Sequence, residues 1–498
     1  MPSHALKILV FVVFFHAFVW MVFPMLGHHT PPLDVVEMYT WSLHPQWGYF
    51  KHPPLPAWFI AASVWLFGQN SFALFFPAVL SVLVSVLVVW PIARKVLGVQ
   101  RAVIASGLQL TLLFCNLYSP DFNHNVVQMP VWALTIACFY WAVSTSKLAW
   151  WMAFGASLAL TTLAKYSAAF LPVACVFFLV FNAQARRSLS FISVFAAALS
   201  FFLVLMPHLI WLVESDFQPF RFMQKRFSVL TGHASWGQAL LAYVGLQIAV
   251  HLIALLTLAI LRFRFNERDQ MVEAGSPWFV NDFDRKFIWI LGMGPFFITV
   301  LLAFAGKHLH PMWASAMFPL SGILVTMLLG GAARVLWSRK ALITWCFVSV
   351  FLGAMYAAKN TEQWHELTHK YARASYPGPE LAKLVDAKWR EAVPDQPLSY
   401  LAGSAWEIGV VSLDSVYHPD VLIEGDYSTS PWIDRQKMQA CGAMLLWSDE
   451  GDVADHIYEN WPQARQYQTL TVLASRANTF GPVSLHYLIL PPTATCRK

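Results

Sequence analysis

The sequence predicts a mainly α, polytopic membrane protein of about eleven transmembrane helices, followed by a C-terminal extracytoplasmic α/β domain. Composition, apolar runs and loop charge carry this prediction. Of the 498 residues, 57% are hydrophobic and 12% are charged, whereas a soluble globular domain is about 45–50% apolar and about 25% charged. Apolar runs of membrane-spanning length recur from residue 8 to residue 357. Lysine and arginine are dense in one set of connecting loops and sparse in the other, and from residue 359 the composition turns polar and mixed. The formal net charge is +6, with no basic tail and no Arg-rich stripe, which argues against a nucleic-acid partner.

Lys7 precedes an apolar run from Ile8 to Leu26. The run is long for a signal-peptide core and no A-x-A site follows it, so it reads as an uncleaved first membrane helix. A span needs about 20 mainly apolar residues. Runs that fit or nearly fit are 8–26, 72–93, 102–118, 126–143, 149–164, 167–182, 190–213, 238–261, 286–304, 312–333 and 341–357. Segment 55–67 is apolar but short and bounded by prolines, which suits a helix lying at the interface. Loops carrying Arg94, Lys95, Arg101, Lys147, Arg186, Arg187, Arg285, Lys286, Arg339 and Lys340 are assigned to the cytoplasm. Loops 27–71, 118–125, 164–167, 214–237 and 305–311 then face outward, as does everything after about residue 358.

The chain thus divides into a transmembrane domain, 1–358, and a domain outside the membrane, 359–498. In the latter, "LSYLAG", "AMLLWS" and "SLHYLIL" are strand-like runs bounded by turn residues. The six cysteines show no zinc spacing. Cys115, Cys138, Cys175 and Cys346 lie in apolar runs, whereas Cys441 and Cys496 lie in the polar part and can pair if it is outside the cytoplasm.

The outward loops hold few positive charges, but those they hold sit beside unusual residues. The first, 27–71, contains Asp34 and Glu37 at the i, i+3 spacing of one helix face, then Trp41, His44, Trp47, Tyr49, Lys51 and His52. Carboxylates, imidazoles, an amine and aromatic rings together suit a sugar or phosphate site. The acids also read as solvated interface charges, and the aromatics as a membrane belt. Pro53 and Pro54 restrict the backbone and hold Lys51 and His52 before the next helix, where free N–H groups attract anions. "YSPDFNHN" places Asp121 at a membrane boundary, where it also reads as ordinary turn chemistry. Lys165 stands between two apolar runs with almost no loop, so it must snorkel or be paired. Lys307 stands beside His308 and His310; two histidines alone fit packing better than a metal. Loop 214–237 carries Arg221, Lys225 and Arg226 among aromatics, an amphipathic basic stretch suited to lipid phosphates.

The motifs "WGYFKHPPLPAW", "SPDF", "LAKYSA" and "GKHLHPMW", with "SPWID" and "GAMLLW" in the C-terminal part, resemble the C-type glycosyltransferases. The chain is most similar to bacterial membrane families akin to protein O-mannosyltransferases, aminoarabinose transferases and lipopolysaccharide core galacturonosyltransferases. The resemblance covers most of the chain and implies the GT-C fold in a bacterial inner membrane, with the active site and C-terminal domain periplasmic. It implies a polyprenyl-phosphate sugar donor and a glycolipid or protein acceptor. Asp34 matches the loop-one aspartate and Asp121 the acid of the second outward loop, with Glu37 a further candidate. Lys51 and His52 match the polar pair before Pro-Pro, near the donor phosphate. Lys165 and Lys307 match basic positions suited to the lipid phosphate, and Arg221 joins them as a candidate. Several relatives carry an acid where Lys51 stands, aminoarabinose transferases carry lysine where His52 stands, and Val35 replaces a glutamate of the galacturonosyltransferase-like sequences. The base and the donor sugar therefore stay open.

The residues fit an inverting displacement at the anomeric carbon, with a carboxylate taking the acceptor proton and cations offsetting charge on the departing phosphate. No Walker-type or Rossmann glycine motif occurs in the required context. The mechanism needs no soluble nucleotide site, no cofactor is certain, and participation of a divalent metal stays open. The competing class is a transporter or flippase of a lipid-linked glycan, which wants a polar path deep in the spans. A structural subunit is the third reading.

Overall fold

The computed structural model describes residues 2–230, 236–264, 280–304, 310–328, 339–361, 364, 373–448, 452–472 and 482–496. In chain order the helices are α1 (Pro2–Gly27), α2 (Leu33–Ser42), α3 (Leu55–Phe67), α4 (Ser71–Leu97), α5 (Val99–Gln109), α6 (His124–Thr145), α7 (Leu148–Ala164) and α8 (Phe170–Phe181). They continue with α9 (Ala183–Arg186), α10 (Phe191–Glu214), α11 (Gln218–Leu230), α12 (Trp236–Arg264), α13 (Asp282–Phe304), α14 (Ser321–Leu328) and α15 (Arg339–Lys359).

Among the described residues, seven helices are long and apolar enough to cross a membrane: α1, α4, α6, α10, α12, α13 and α15. Pro311–Met317 and α14 form a further pair, bent by 76°, and Leu55–Phe67, Leu148–Ala164 and Tyr166–Phe181 are shorter apolar helices. The run expected over 102–118 is α-helical only as far as Gln109, with one 3-10 turn at Leu113–Cys115 beyond it. Its polar side chains explain the break. Gln109 Nε2 donates to the Phe318 carbonyl at 3.0 Å while its Oε1 accepts from Gly322 N at 2.9 Å. Asn116 Nδ2 donates to the carbonyls of Leu110 and Leu112, at 2.7 and 2.6 Å, and so satisfies a backbone that has left the helix.

The chain forms two compact units. The first comprises Met1–Val22, Lys51–Pro56 and Phe76–Ala354. Its core is aromatic: Phe139 and Tyr140 of α6 meet Phe178 of α8 and Phe287 of α13 at ring separations of 4.9 to 6.2 Å. Between helices with apolar outer faces, close approach and buried hydrogen bonds supply specificity. Gly155 of α7 lies against the Ala197 carbonyl and Ser200 of α10, leaving no room for a Cβ. Thr135 bonds Thr161 at 2.9 Å, Tyr243 bonds Thr299 at 2.7 Å, and His251 bonds Ser321 at 2.9 Å.

The second unit comprises Phe23–Phe50, Ala57–Phe75 and Met355–Lys498. Its five-stranded sheet has the order β2-β1-β3-β5-β4, with β1 Tyr400–Gly403, β2 Asp420–Ile423, β3 Ala443–Trp447, β4 Gln468–Val472 and β5 Val483–Leu490. β1 pairs in parallel with β2 and β3, whereas β5 is antiparallel to β3 and β4. β1, β3 and β5 are the three runs read as strands from the sequence. Gly403, at φ +146°, permits the close pass of β1 over the Leu446 carbonyl. Cys441 and Cys496 are joined by a disulfide. Segment 28–44 packs into this unit. Thr30 Oγ1 donates to the Tyr376 carbonyl at 2.6 Å, His44 Nε2 meets Asp420 Oδ1 at 3.0 Å, and Gly409 of the helix Ala405–Asp414 admits Val36 and Thr40 of α2.

Candidate functional site

The first unit gathers Lys51, His52 and Lys165 around the start of α6. Asn123 begins the construction. Its Oδ1 accepts from the backbone N–H of Asn125 at 2.9 Å and of Val126 at 3.3 Å, a side-chain cap that fixes where α6 starts. His124 and Asn125 therefore occupy the first turn. The His52 ring lies against the His124 ring, with centroids 3.9 Å apart, and the His124 ring donates to the Pro53 carbonyl. The rigid Pro-Pro step thus fixes the imidazole pair.

Lys165 arrives from the other side. α7 ends at Ala164, and Lys165 is extended, with φ −166° and ψ 140°. Its Nζ donates to Asn125 Oδ1 at 2.5 Å and lies 5.1 Å from the Trp313 ring centre. Gln128 Nε2 donates to the Lys165 carbonyl at 3.3 Å, and Ser167 Oγ donates to Gln128 Oε1 at 3.2 Å, so α6 holds the break between α7 and α8. Lys51 and Lys165 are both close enough for their charges to act on the His124 ring. Two ammonium groups and two imidazoles at a helix N-terminus form an environment for an anion, because the helix dipole adds to the side-chain charges.

α11 borders this cluster. Phe222 lies 5.8 Å from Lys51 Nζ, and Phe220 stacks on Tyr166 at 4.9 Å. The Tyr166 hydroxyl bonds His208 Nε2 at 3.1 Å. Arg221, between those phenylalanines, pairs with Asp216 at 2.5 Å and is exposed. Asp121 is exposed in the turn before Asn123. Lys307 lies outside the described residues.

Asp34 and Glu37 belong to the second unit. Both are half-buried on α2, with Asp34 in its first turn, where a carboxylate complements the dipole. Trp41 and Tyr49, read from the sequence as possible sugar-facing rings, are buried and stacked on each other at 4.6 Å. Trp47 is exposed, edge-on to Trp58 at 5.0 Å. Among the described residues, no group of three or more His, Cys, Asp or Glu side chains converges as metal ligands would.

The sequence reading did not select His124, Asn125, Tyr166 or His208 as site residues. His208 carried a usable signal, because a histidine inside an apolar span needs a partner. His124 and Asn125 carried a weaker one, as the residues directly after a capping asparagine.

The family described as dolichyl-phosphate-mannose-protein mannosyltransferase matches residues 51–211. That segment contains Lys51, His52, Asp121, His124 and Lys165. No curated protein sequence matches the chain significantly. The chain superposes on the crystal structure of ArnT from Cupriavidus metallidurans bound to undecaprenyl phosphate with a TM-score of 0.63 at 15% identity, covering 98% of this chain and 99% of that one. The apo form of the same protein gives 0.61 at 15% identity, with coverage of 98% and 99%. The chain has the C-type glycosyltransferase fold that its motifs resemble.

Proposed function

We propose that this protein transfers a sugar from a polyprenyl-phosphate donor to a lipid or protein acceptor at the outer face of a bacterial inner membrane. The observation that carries the reading is the convergence of Lys51, His52, His124 and Lys165 at the start of α6. A lipid phosphate has the charge such a cluster accommodates, and the similar ArnT structure was determined with undecaprenyl phosphate bound. The family match over 51–211 supports the same chemistry.

In the proposed reaction, the acceptor oxygen attacks the anomeric carbon while the bond to the phosphate oxygen breaks. The lipid phosphate leaves with the electron pair and the configuration inverts. Lys51, Lys165 and the imidazoles stabilise the growing negative charge, an electrostatic contribution of several kcal/mol (about 2.7–4 per aimed donor in other enzymes). A carboxylate takes the acceptor proton; the resemblance of the first loop suggests Asp34 for this role, with Asp121 and Glu37 as further candidates. An acceptor that is itself a phosphate is already ionised, and the carboxylate then positions it.

A transporter of the same donor would instead need a polar path through the spans. Buried polar groups such as His16, Gln109 and His251 bond to neighbouring helix or turn backbone and side chains, as interhelical contacts do. Mass spectrometry of surface glycolipids and glycoproteins from cells with and without the protein tests the proposal. A sugar increment that disappears identifies donor and acceptor class; unchanged envelopes reject the transferase reading.

A further inference from the structure

At the far end of α6 the first unit contains a cavity of about 790 Å³. Its walls include Lys95 near the end of α4, Ser144 of α6, Val180 and Phe181 at the end of α8, Arg186 of α9, and the first turn of α13. α6 has 22 residues, and at 1.5 Å per residue it rises about 33 Å, roughly a hydrocarbon thickness. The cavity therefore lies at the membrane rim opposite the Lys51–Lys165 cluster.

The acids in its wall are already engaged by protein donors. Asp282 accepts from Arg285 at 2.9 Å and from Lys286 at 2.7 Å. Asp284, 3% exposed, accepts from the Tyr140 hydroxyl at 2.6 Å and from Asn281 Nδ2 at 2.7 Å. The cations are differently placed. Lys95 Nζ lies over the rings of Tyr140 and Trp141, at 4.8 and 5.1 Å. Arg186 reaches the carbonyls of Leu179 and Val180 at the end of α8. Among the described residues neither meets a carboxylate, so both keep charge and donors for an anion entering the cavity.

The apolar wall says what carries that anion. Val173, Val176, Phe177, Val180 and Phe181 are all exposed, and their three- and four-residue spacing lines them along one face of α8. Phe177 and Phe181 pack ring to ring at 4.4 Å, and the last two residues of the stripe form part of the cavity wall. A free anion has no use for such a stripe, whereas an acyl chain lies along it with its headgroup at Lys95 and Arg186. We propose that this cavity binds the phosphate headgroup of an anionic phospholipid in the leaflet opposite the candidate active site.

The test uses the full chain in nanodiscs of phosphatidylcholine with and without phosphatidylglycerol, read by native mass spectrometry of retained lipid and by thermal unfolding. Phosphatidylglycerol should be retained in preference and raise the unfolding midpoint. The double variant Lys95→Gln/Arg186→Gln should weaken retention about tenfold or more, the effect of losing charge-assisted hydrogen bonds. Lys95→Arg should retain the lipid. The wild-type preference needs no variant, so equal retention of the two lipids overturns the proposal. Undiminished retention in a folded double variant overturns it too, as does stabilisation by inorganic phosphate equal to that by phosphatidylglycerol, which would mark a site for a free anion.

Discussion

The Lys165 ammonium donates to the Asn125 side-chain oxygen at 2.5 Å, across the gap between the end of α7 and the first turn of α6. This acceptor is a neutral amide, which helps to orient the ammonium. The arrangement suits a group that must meet an incoming phosphate. Lys165→Ala should weaken binding of polyprenyl phosphate about tenfold or more, with donor KM rising more than kcat falls. Donor affinity equal to wild type in a folded variant would remove Lys165 from the phosphate site.

In the proposed reaction Asp34, Asp121 and Glu37 are the candidate proton acceptors. Asp34→Asn should lower kcat by about 10²–10⁴, the usual worth of a positioned general base, while expression and donor binding stay near wild type. Asp121→Asn is the matched control. A large kcat loss in the Asp121 variant alone would transfer the role to Asp121, which shares its unit with the basic cluster.

The Cys441–Cys496 disulfide closes a segment 55 residues long in sequence separation. By the chain-entropy estimate, such a loop contributes about 4 kcal/mol. Cys441→Ser/Cys496→Ser should lower the stability of the second unit by an amount of that order, read from denaturant unfolding of the full chain. Peptide mapping of protein taken from cells should find the pair oxidised, since such bonds persist outside the cytoplasm. Recovery of both thiols free would count against a periplasmic location for this domain.

Burial pushes the Asp414 carboxyl up to about 6; His29 opposes this shift and Glu380 adds to it. Because the folded value lies above the unfolded one, the folded state holds a proton that the unfolded chain releases between about pH 4 and pH 6. The stability from this group is full below pH 4 and is lost as pH rises through 6. Asp414→Asn should match wild type near pH 4 and exceed it at pH 7 by up to about 3 kcal/mol. His28, held down to about 4 mainly by burial, works in the opposite direction, losing stability as pH falls from 6.5. The variant-minus-wild-type difference across pH is therefore the readout, and a flat difference would exclude a buried, proton-holding Asp414.

Much of the architecture was legible because it depends on local composition. Partition into a bilayer is decided by about 20 consecutive residues, so the runs that became α1, α4, α6, α10, α12, α13 and α15 could be read directly. β1, β3 and β5 are apolar runs between turns and were equally plain. β2 and β4 were not: "DVLI" is four residues long, "QTLTV" is mostly polar, and only pairing with β1 and β5 makes them strands. The break after Gln109 was hidden for a similar reason, since its cause is a hydrogen bond to Phe318, far along the chain.

The candidate site divides the same way. Residue types and positions alone marked Lys51 and Lys165 as positive charges in loops expected to face outward, and His52 as the neighbour of Lys51 before Pro-Pro. Only the folded chain shows that His124 and Asn125 join them, because the cap of α6, the stiffness of Pro53–Pro54 and the end of α7 must coincide in space. The composition of a segment determines whether it enters a membrane. The side chains that meet there are decided by packing between segments distant in sequence, which no local window contains.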